Sequence, residues 1–477
     1  MKKSLYITTT LPYVNADPHI GFALEIVRAD IYARYRMVCG DDVFFNTGTD
    51  EHGLKIFRKA ESEGKEVQAY VDEYAAKFRS LKEALGLTEQ LHFIRTTDPP
   101  HVQAAQEMWR RCVARGDIYK RKYKGLYCVG DEAFIKETDL VNGKCPNHPS
   151  MDPMEIEEEN YFFRLSAYQG KLVEYLSKEG VILPEWRRHE TLQFVQGGLE
   201  DMSISRERAR LSWGIPVPDD DTQTMYVWFD ALTNYISTLW WPEDAEGSYK
   251  KFWEQGERLQ MAGKDQLRFQ SIMWQAMLMS AGLPTTDRVI YNGFITSGGQ
   301  KMSKSIGNVI DPMTIVEEYG TDALRYYLAR HVHPFEDTDV TMEKFKEVYN
   351  ADLANGLGNL TARIMQLAQT HLPAPVELPK MEMPLEMTRL LDVFEMQKAL
   401  DYVSSRIQGL DQTITETEPF KVVKVDAEKG KKLITELVKE LAFIIVMLEP
   451  IIPTKAETIW QAIQENKKPE NLFPRKE

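Results

Sequence analysis

Ser4-Leu5-Tyr6-Ile7-Thr8-Thr9 and, beyond it, Asp17-Pro18-His19-Ile20-Gly21 form the stretch that decides the fold. The first run is apolar and β-rich. The second opens a segment whose apolar residues Leu24, Val27, Ile31, Tyr35 and Val38 recur at helical spacing. A strand feeding a helix in this way is the opening unit of an α/β nucleotide-binding fold. Asp17 is a natural N-cap and Pro18 a natural first helical residue, so His19 and Gly21 are predicted at the opening turn. There the helix's free N–H groups favour phosphate, and a glycine permits close approach. No G-x-G-x-x-G follows the strand, which excludes the dinucleotide version of the fold. Asp42-Val43-Phe44-Phe45-Asn46 reads as a second parallel strand.

Far downstream stands Lys301-Met302-Ser303-Lys304-Ser305. Its two lysines put compact point charges where a triphosphate could sit. Gly298 and Gly299 upstream give the backbone freedom to bring them in. Together the two motifs resemble the signature sequences of class I aminoacyl-tRNA synthetases. Surrounding residues narrow the resemblance to the methionyl-tRNA synthetase family. Leu11-Pro12-Tyr13, Gly48-Thr49-Asp50-Glu51-His52-Gly53, Glu159-Asn160-Tyr161-Phe162-Phe163-Arg164 and Trp213-Gly214-Ile215-Pro216-Val217-Pro218 are all similar to it. So are Tyr226-Val227-Trp228-Phe229-Asp230-Ala231, Gly263-Lys264-Asp265 and Gly358-Asn359-Leu360, in the family's order from residue 5 to roughly residue 460.

The resemblance implies an α/β fold in which a class I Rossmann-like nucleotide-binding domain is split by a connective-peptide insertion and followed by an all-α anticodon-binding bundle. The first catalytic half is expected over 1–115, the insertion with its knuckle over 116–225, and the second half with the lysine loop over 226–310. A stem-contact segment over 311–341 and the helical bundle over 342–477 complete it. Patterning along the chain agrees. Cysteines, turns and the acidic run Glu155-Ile156-Glu157-Glu158-Glu159 mark the change of character in the insertion. A helix is predicted over Lys264–Ala281 and a strand over Arg288–Tyr291. Helices dominate after Met342, interrupted by the proline-rich stretch from Leu372 to Pro384.

At 477 residues the chain should hold two to four domains. Hydrophobic residues at 43% and charged residues at 27% make an ordinary globular balance. No apolar run approaches the ~18 residues needed to span a bilayer; the longest, Leu441–Leu448, stops at Glu449-Pro450. Thr8, Thr9 and Thr10 rule out a secretory apolar region after Met1-Lys2-Lys3. The four cysteines, Cys39, Cys112, Cys128 and Cys145, are too sparse for a disulfide framework, and a cytoplasmic location is expected. A net charge of −14 argues against an indiscriminate nucleic-acid binder. It leaves room for tRNA, because local basic segments such as Lys120–Lys124, Arg187-Arg188 and Lys429–Lys432 suffice to meet phosphates. Some family members carry a further C-terminal tRNA-binding and dimerising domain; the chain has no room for one, so a monomer is expected.

The reaction implied by the resemblance has two steps. Methionine attacks the α-phosphate of ATP, supplied with Mg2+, and displaces pyrophosphate; the terminal ribose hydroxyl of tRNA(Met) then takes the methionyl group. Such chemistry needs positioning and charge stabilisation more than a covalent nucleophile. His19 and Gly21 are implied to hold ATP phosphates, with Phe22 and Asp265 against the nucleoside. Lys301 and Lys304 are implied to stabilise the transition state and leaving pyrophosphate. Asp50 matches the ligand of the methionine ammonium group, and Leu11, Tyr13, Trp228, Ala231, Leu232 and Tyr235 match the wall of the amino-acid pocket. Asn359, Arg363 and Phe420 match residues that meet the anticodon, the ring at 420 stacking where the family has an indole.

The chain departs from the family at several of these places. Phe22 stands where a second histidine is usual, and a phenyl ring can stack but cannot donate a hydrogen bond. Gln266 and Gln270 replace isoleucine and histidine on what reads as one helical face, where a glutamine N–H could donate to the thioether. Cys128, Asp131, Cys145 and His148 form a possible zinc quartet in which carboxylate replaces a thiolate. The same four residues could equally be a relic knuckle held by packing. His52, His101 and His371 show no ligand spacing. Two rival readings stand beside the ligase. One is a class I synthetase of another or altered amino-acid specificity; against those for leucine, isoleucine or valine, which carry a large editing insertion, the 116–225 segment is too short. The other is a degenerate synthetase-like tRNA-binding or regulatory protein, which would have no need of transition-state lysines.

Overall fold

A computed structural model describes residues 3–129, 133–135, 137–146, 149–302 and 307–477. They pack as two units. The first comprises Met1–Asp17, Asp42–Ser80 and Gln90–Tyr291, the second Pro18–Asp41, Leu81–Glu89 and Asn292–Glu477.

The first unit is built on a six-stranded sheet in the order Leu91–Arg95, Asp42–Thr49, Ser4–Thr9, Glu257–Gly263, Arg288–Asn292, Ile182–Leu183. Ser4–Thr9 runs parallel to both its neighbours, Asp42–Thr49 runs parallel to Leu91–Arg95, and Arg288–Asn292 runs parallel to Ile182–Leu183. Ser4–Thr9 and Asp42–Thr49 are buried along almost their whole length. Burial on both faces makes a parallel strand a continuous apolar run rather than an alternating one, which is why these two stretches are legible as strands. The chain passes from Ser4–Thr9 to strands on one side and later returns to the other side. Beyond the carboxyl ends of Ser4–Thr9 and Glu257–Gly263 it therefore leaves the crevice where open α/β sheets bind ligands.

The stretch expected as an insertion folds into two small antiparallel sheets. One orders Ala133–Ile135, Ile118–Cys128, Met154–Phe163 and Met202–Ser203; the other orders Pro216–Val217, Asp220–Met225 and Ser205–Glu207. It is not wholly separate from the nucleotide fold, because Ile182 and Leu183 pair with Val289 and Ile290 and cover an edge of the parallel sheet. The chain is helical over the whole of the predicted Lys264–Ala281, but the type of helix changes along it. A 3-10 turn covers Lys264–Gln266, a π-helical turn Phe269–Met273 and an α-helix Trp274–Ala281.

In the second unit the helix Ile20–Val38 is fastened by buried arginines. Arg28 donates to the carbonyls of Leu328 and Val332 and to Asn292 Oδ1. Arg325 reaches Asp30 at 2.7 Å and the carbonyls of Leu85, Pro450 and Ile451. A guanidinium has five donors in a fixed fork, so it can close several chain ends at once without leaving a buried N–H unmet. Helices Asn359–His371, Leu385–Asp392, Met396–Thr417, Pro419–Val425, Ala427–Leu448 and Pro453–Gln464 follow. No helix covers 372–384, where prolines remove backbone donors. Among the described residues no helix is long and apolar enough to cross a membrane.

Candidate active site

Two loops leave neighbouring strands at the crevice of the first unit, and the backbone ties them together. Tyr13 and Asp50 form a parallel bridge; Asp50 N donates to Pro12 O at 2.9 Å and Val14 N to Asp50 O at 3.2 Å. Leu11, Tyr13 and Asp50 are thereby brought to one place, with Leu11 and Asp50 buried. The neighbouring Glu51 is the anchor. Its fully buried carboxylate takes both arms of Arg95 at 2.7 and 2.8 Å and the hydroxyls of Thr49 and Thr97 at 2.5 and 2.6 Å. Trp213 Nε1 donates to the Glu51 carbonyl at 2.6 Å. A buried carboxylate so completely satisfied holds its segment in one conformation. Nothing in the local sequence marks Glu51 as that anchor.

Trp228, Ala231 and Leu232 come from the short helix Val227–Leu232 and Tyr235 from Asn234–Ser237. The Trp228 indole stacks on Phe269 with centroids 3.9 Å apart and planes 9° from parallel. Gln270, almost fully buried, donates through Nε2 to the Tyr235 hydroxyl at 3.0 Å. Its own carbonyl accepts from the side chain of Gln275 at 2.9 Å, and Gln275 is clasped in turn by Thr286. Gln266, at the end of the 3-10 turn, donates to Asp265 at 3.1 Å. The two glutamines therefore do not share an α-helical face, as their spacing predicts. A π turn advances the chain by a different angle per residue, and only the tertiary clasp of Gln275 and Thr286 reveals it. Asp265 is exposed directly after the strand Glu257–Gly263, at the crevice.

His52 and His101 acquire partners that their spacing does not suggest. Both rings close on Asp230, His52 Nδ1 at 2.7 Å and His101 Nε2 at 2.8 Å, and all three residues are buried.

In the second unit the two signature motifs meet. The N-cap of Ile20–Val38 is His19, not Asp17; its extended backbone turns Nδ1 back to accept from Gly21 N at 3.1 Å. Asp17 instead pairs with Lys77 at 3.0 Å, within the first unit. A Cβ on Gly21 would stand 2.9 Å from His19 Cε1 and 3.9 Å from the Met302 methyl. Only glycine leaves the histidine its place, and Met302 of the lysine motif lies beside it. Ile20 N also donates to Ile310 O at 3.1 Å. Upstream of Met302, Thr296 pairs with Lys301 and Ser297 with Gln300 around a hairpin whose Gly298 and Gly299 have φ of 63° and 72°. Two consecutive positive φ values make this the tight turn whose twist suits a hairpin. Asp339 Oδ1 accepts from Gly299 N at 2.7 Å and from Thr296 Oγ1 at 2.9 Å. The glycines, expected to loosen this loop, form a pinned turn. Ser303, Lys304, Ser305 and Ile306 lie outside the described residues. Phe22 is half-buried on the helix's first turn.

Asn359 and Arg363 lie one turn apart on the helix Asn359–His371, Asn359 exposed and Arg363 paired with Asp411. Phe420 is 41% exposed, at the start of Pro419–Val425. Cys128 ends the strand Ile118–Cys128 and Cys145 follows the Val141–Lys144 bridge; both thiols are buried. Asp131 and His148 lie outside the described residues, and among those described no group of three or more His, Cys, Asp or Glu side chains is arranged to hold a metal ion. The two buried thiols are donors of the type that a tetrahedral zinc set uses.

Comparison with known proteins adds to this geometry. Residues 5–365 match the family described as tRNA synthetases class I (M). The methionine–tRNA ligase of Nostoc sp. is 40% identical over 97% of this chain and 90% of its own length. That of Brucella suis is 39% identical over 96% and 91%. The structure of Mycobacterium tuberculosis methionyl-tRNA synthetase in complex with methionyl-adenylate superposes with a TM-score of 0.90 at 34% identity, covering all of both chains.

Proposed function

Since the chain belongs to the methionine group of the class I tRNA synthetases, we propose how its residues divide the two steps of that reaction. The activity is methionine–tRNA ligation: methionine is joined to AMP at the expense of ATP and then passed to tRNA. The observation that carries the assignment of residues is the joined pair of loops at the crevice. There the Tyr13–Asp50 bridge sets a carboxylate beside Leu11 and Tyr13.

Asp50 takes the methionine ammonium group. Trp228, Ala231, Leu232 and Tyr235 wall the side chain, and Gln270 meets the thioether end through the hydroxyl it holds on Tyr235. ATP enters as its magnesium complex. Its phosphates lie at the opening turn of Ile20–Val38, beside His19 and Gly21, where the positive end of the helix dipole favours an anion. Phe22 and Asp265 are assigned to the nucleoside. As the methionine carboxylate attacks the α-phosphate, negative charge builds on the phosphoryl oxygens and the leaving pyrophosphate. Lys301 and Lys304 neutralise it. Methionine-dependent exchange of pyrophosphate into ATP tests the whole reading. A strict requirement for another amino acid would remove the specificity and leave the class I chemistry.

Asn359, Arg363 and Phe420 serve tRNA(Met) at its anticodon, supported by the exposure of Asn359 and Phe420. Phe420→Ala and Asn359→Ala are expected to slow tRNA charging about tenfold to hundredfold, the worth of a base stacked on an aromatic ring. Methionine activation should stay at the parent rate. Equal damage to both half-reactions would point to a folding defect instead.

Cys128, Asp131, Cys145 and His148 would hold zinc, which when bound ties the knuckle together as a structural cross-link. Near-stoichiometric zinc should then co-purify, and Asp131→Ala should release it on metal analysis. Metal-free protein with full activity would establish the relic reading.

A further inference from the structure

Asp230 is fully buried, and its two carboxylate oxygens face His52, from the loop before the helix Leu54–Ser62, and His101, from the helix Pro99–Ala114. An ionised carboxylate has no hydrogen to give, so each ring nitrogen facing it carries one. The other nitrogen of His101 stands 2.9 Å from the Ser237 hydroxyl. Burial opposes the charge, yet the neighbouring His52 and the hydrogen bonds of both histidines hold the Asp230 carboxyl below its usual range. The charge therefore persists in the interior. Ionic groups buried in this way add little net stability, because desolvation offsets their attraction; what they can do is select one arrangement of the elements they join.

The neighbours of these residues show which arrangement is selected. His52 lies two positions after Asp50, and Asp230 stands between Trp228 and the pair Ala231-Leu232. On the loop side, the Glu51 carboxylate is taken up by Arg95 and Thr97. His52 is the residue that turns toward the helix Val227–Leu232, its ring edge-on to Trp213 at 5.7 Å. We propose that Asp230 is a positioning residue for methionine, holding the ammonium-binding loop in register with the helix that walls the side-chain pocket. The proposal rests on the roles given above to Asp50 and Trp228. A ligand gripped at both ends is sensitive to the spacing of the two grips, and a shift of about 1 Å in such a site can cost on the order of a hundredfold.

The test is steady-state pyrophosphate exchange with His52→Ala, His52→Asn and Asp230→Asn. Asparagine at 52 can return an amide N–H to the place of Nδ1, whereas alanine cannot. His52→Ala and Asp230→Asn are expected to raise KM for methionine about tenfold or more while KM for ATP stays within about twofold. His52→Asn should bring the methionine KM back to within about threefold of the parent. A merely structural role would lower Tm and the fraction of active sites without moving methionine KM in the sites that remain. An unchanged methionine KM in folded His52→Ala, or an equal rise in both KM values, overturns the proposal. If Asp230→Asn does not fold, the His52 pair decides alone. When the parent exchanges with methionine and His52→Ala behaves like it, only the positioning role fails. A parent without methionine-dependent exchange removes both.

Discussion

Asp50→Ala should lower kcat/KM for methionine in pyrophosphate exchange by about 10²–10³-fold, while the protein stays folded. The expectation follows from where the carboxylate sits. Asp50 is 5% exposed and its backbone is bonded on both sides, to Pro12 O and from Val14 N. Those bonds survive truncation of the side chain, and Glu51 keeps its own full set of partners. What is lost is the counter-charge to a desolvated ammonium group, and removing one partner of a buried charge pair costs about 2–5 kcal/mol. The loss should appear in KM for methionine and leave KM for ATP nearly unchanged. Asp50→Asn should retain the shape and lose most of the same energy, which separates charge from packing. Activity within about threefold of the parent would mean that the ammonium group is held elsewhere.

Lys304→Ala should depress the rate of methionine activation by about 10²–10³-fold with methionine affinity little changed. The lysine is assigned to charge that exists only as pyrophosphate departs, so its removal belongs in turnover. Lys301→Ala should act in the same sense. Its backbone is held by the pairing of Thr296 with Lys301, and the Gly298–Gly299 turn is pinned by Asp339, so alanine at 301 leaves the hairpin in place. Single-turnover measurement of adenylate formation separates this step from product release. An unchanged rate in Lys304→Ala would show that the loop takes no part in the chemistry.

Much of this was legible along the chain because it depends on local pattern. Ser4–Thr9 and Asp42–Thr49 carry the unbroken apolar runs Leu5-Tyr6-Ile7 and Val43-Phe44-Phe45, as a doubly covered parallel strand favours. The helices after Met342 and the break at 372–384 follow from periodicity and proline. The short motifs around His19, Asp50, Trp228 and Lys301 were readable for another reason: they match the family's own short motifs, residue by residue. Less was legible where a neighbour distant in sequence outbids a local preference. Asp17 has the chemistry of an N-cap, yet Lys77 engages it and His19 caps the helix. A regular α-helix from Lys264 would be unremarkable in propensity, but Gln275 and Thr286 hold the carbonyl of Gln270 in a π turn.

The sequence by itself therefore determined the class of fold and the family, and it named the groups proposed to react. These rest on side-chain type and on spacing within a few residues, which the covalent chain imposes. The tertiary structure alone decided how those groups are held: Glu51 by Arg95 and Thr97, Gln270 by Gln275, and Asp230 between His52 and His101. Asp230 stands 178 residues from the one histidine and 129 from the other. No local rule couples positions so far apart; they meet because a buried carboxylate must find donors, and only the packed core determines which donors are within reach.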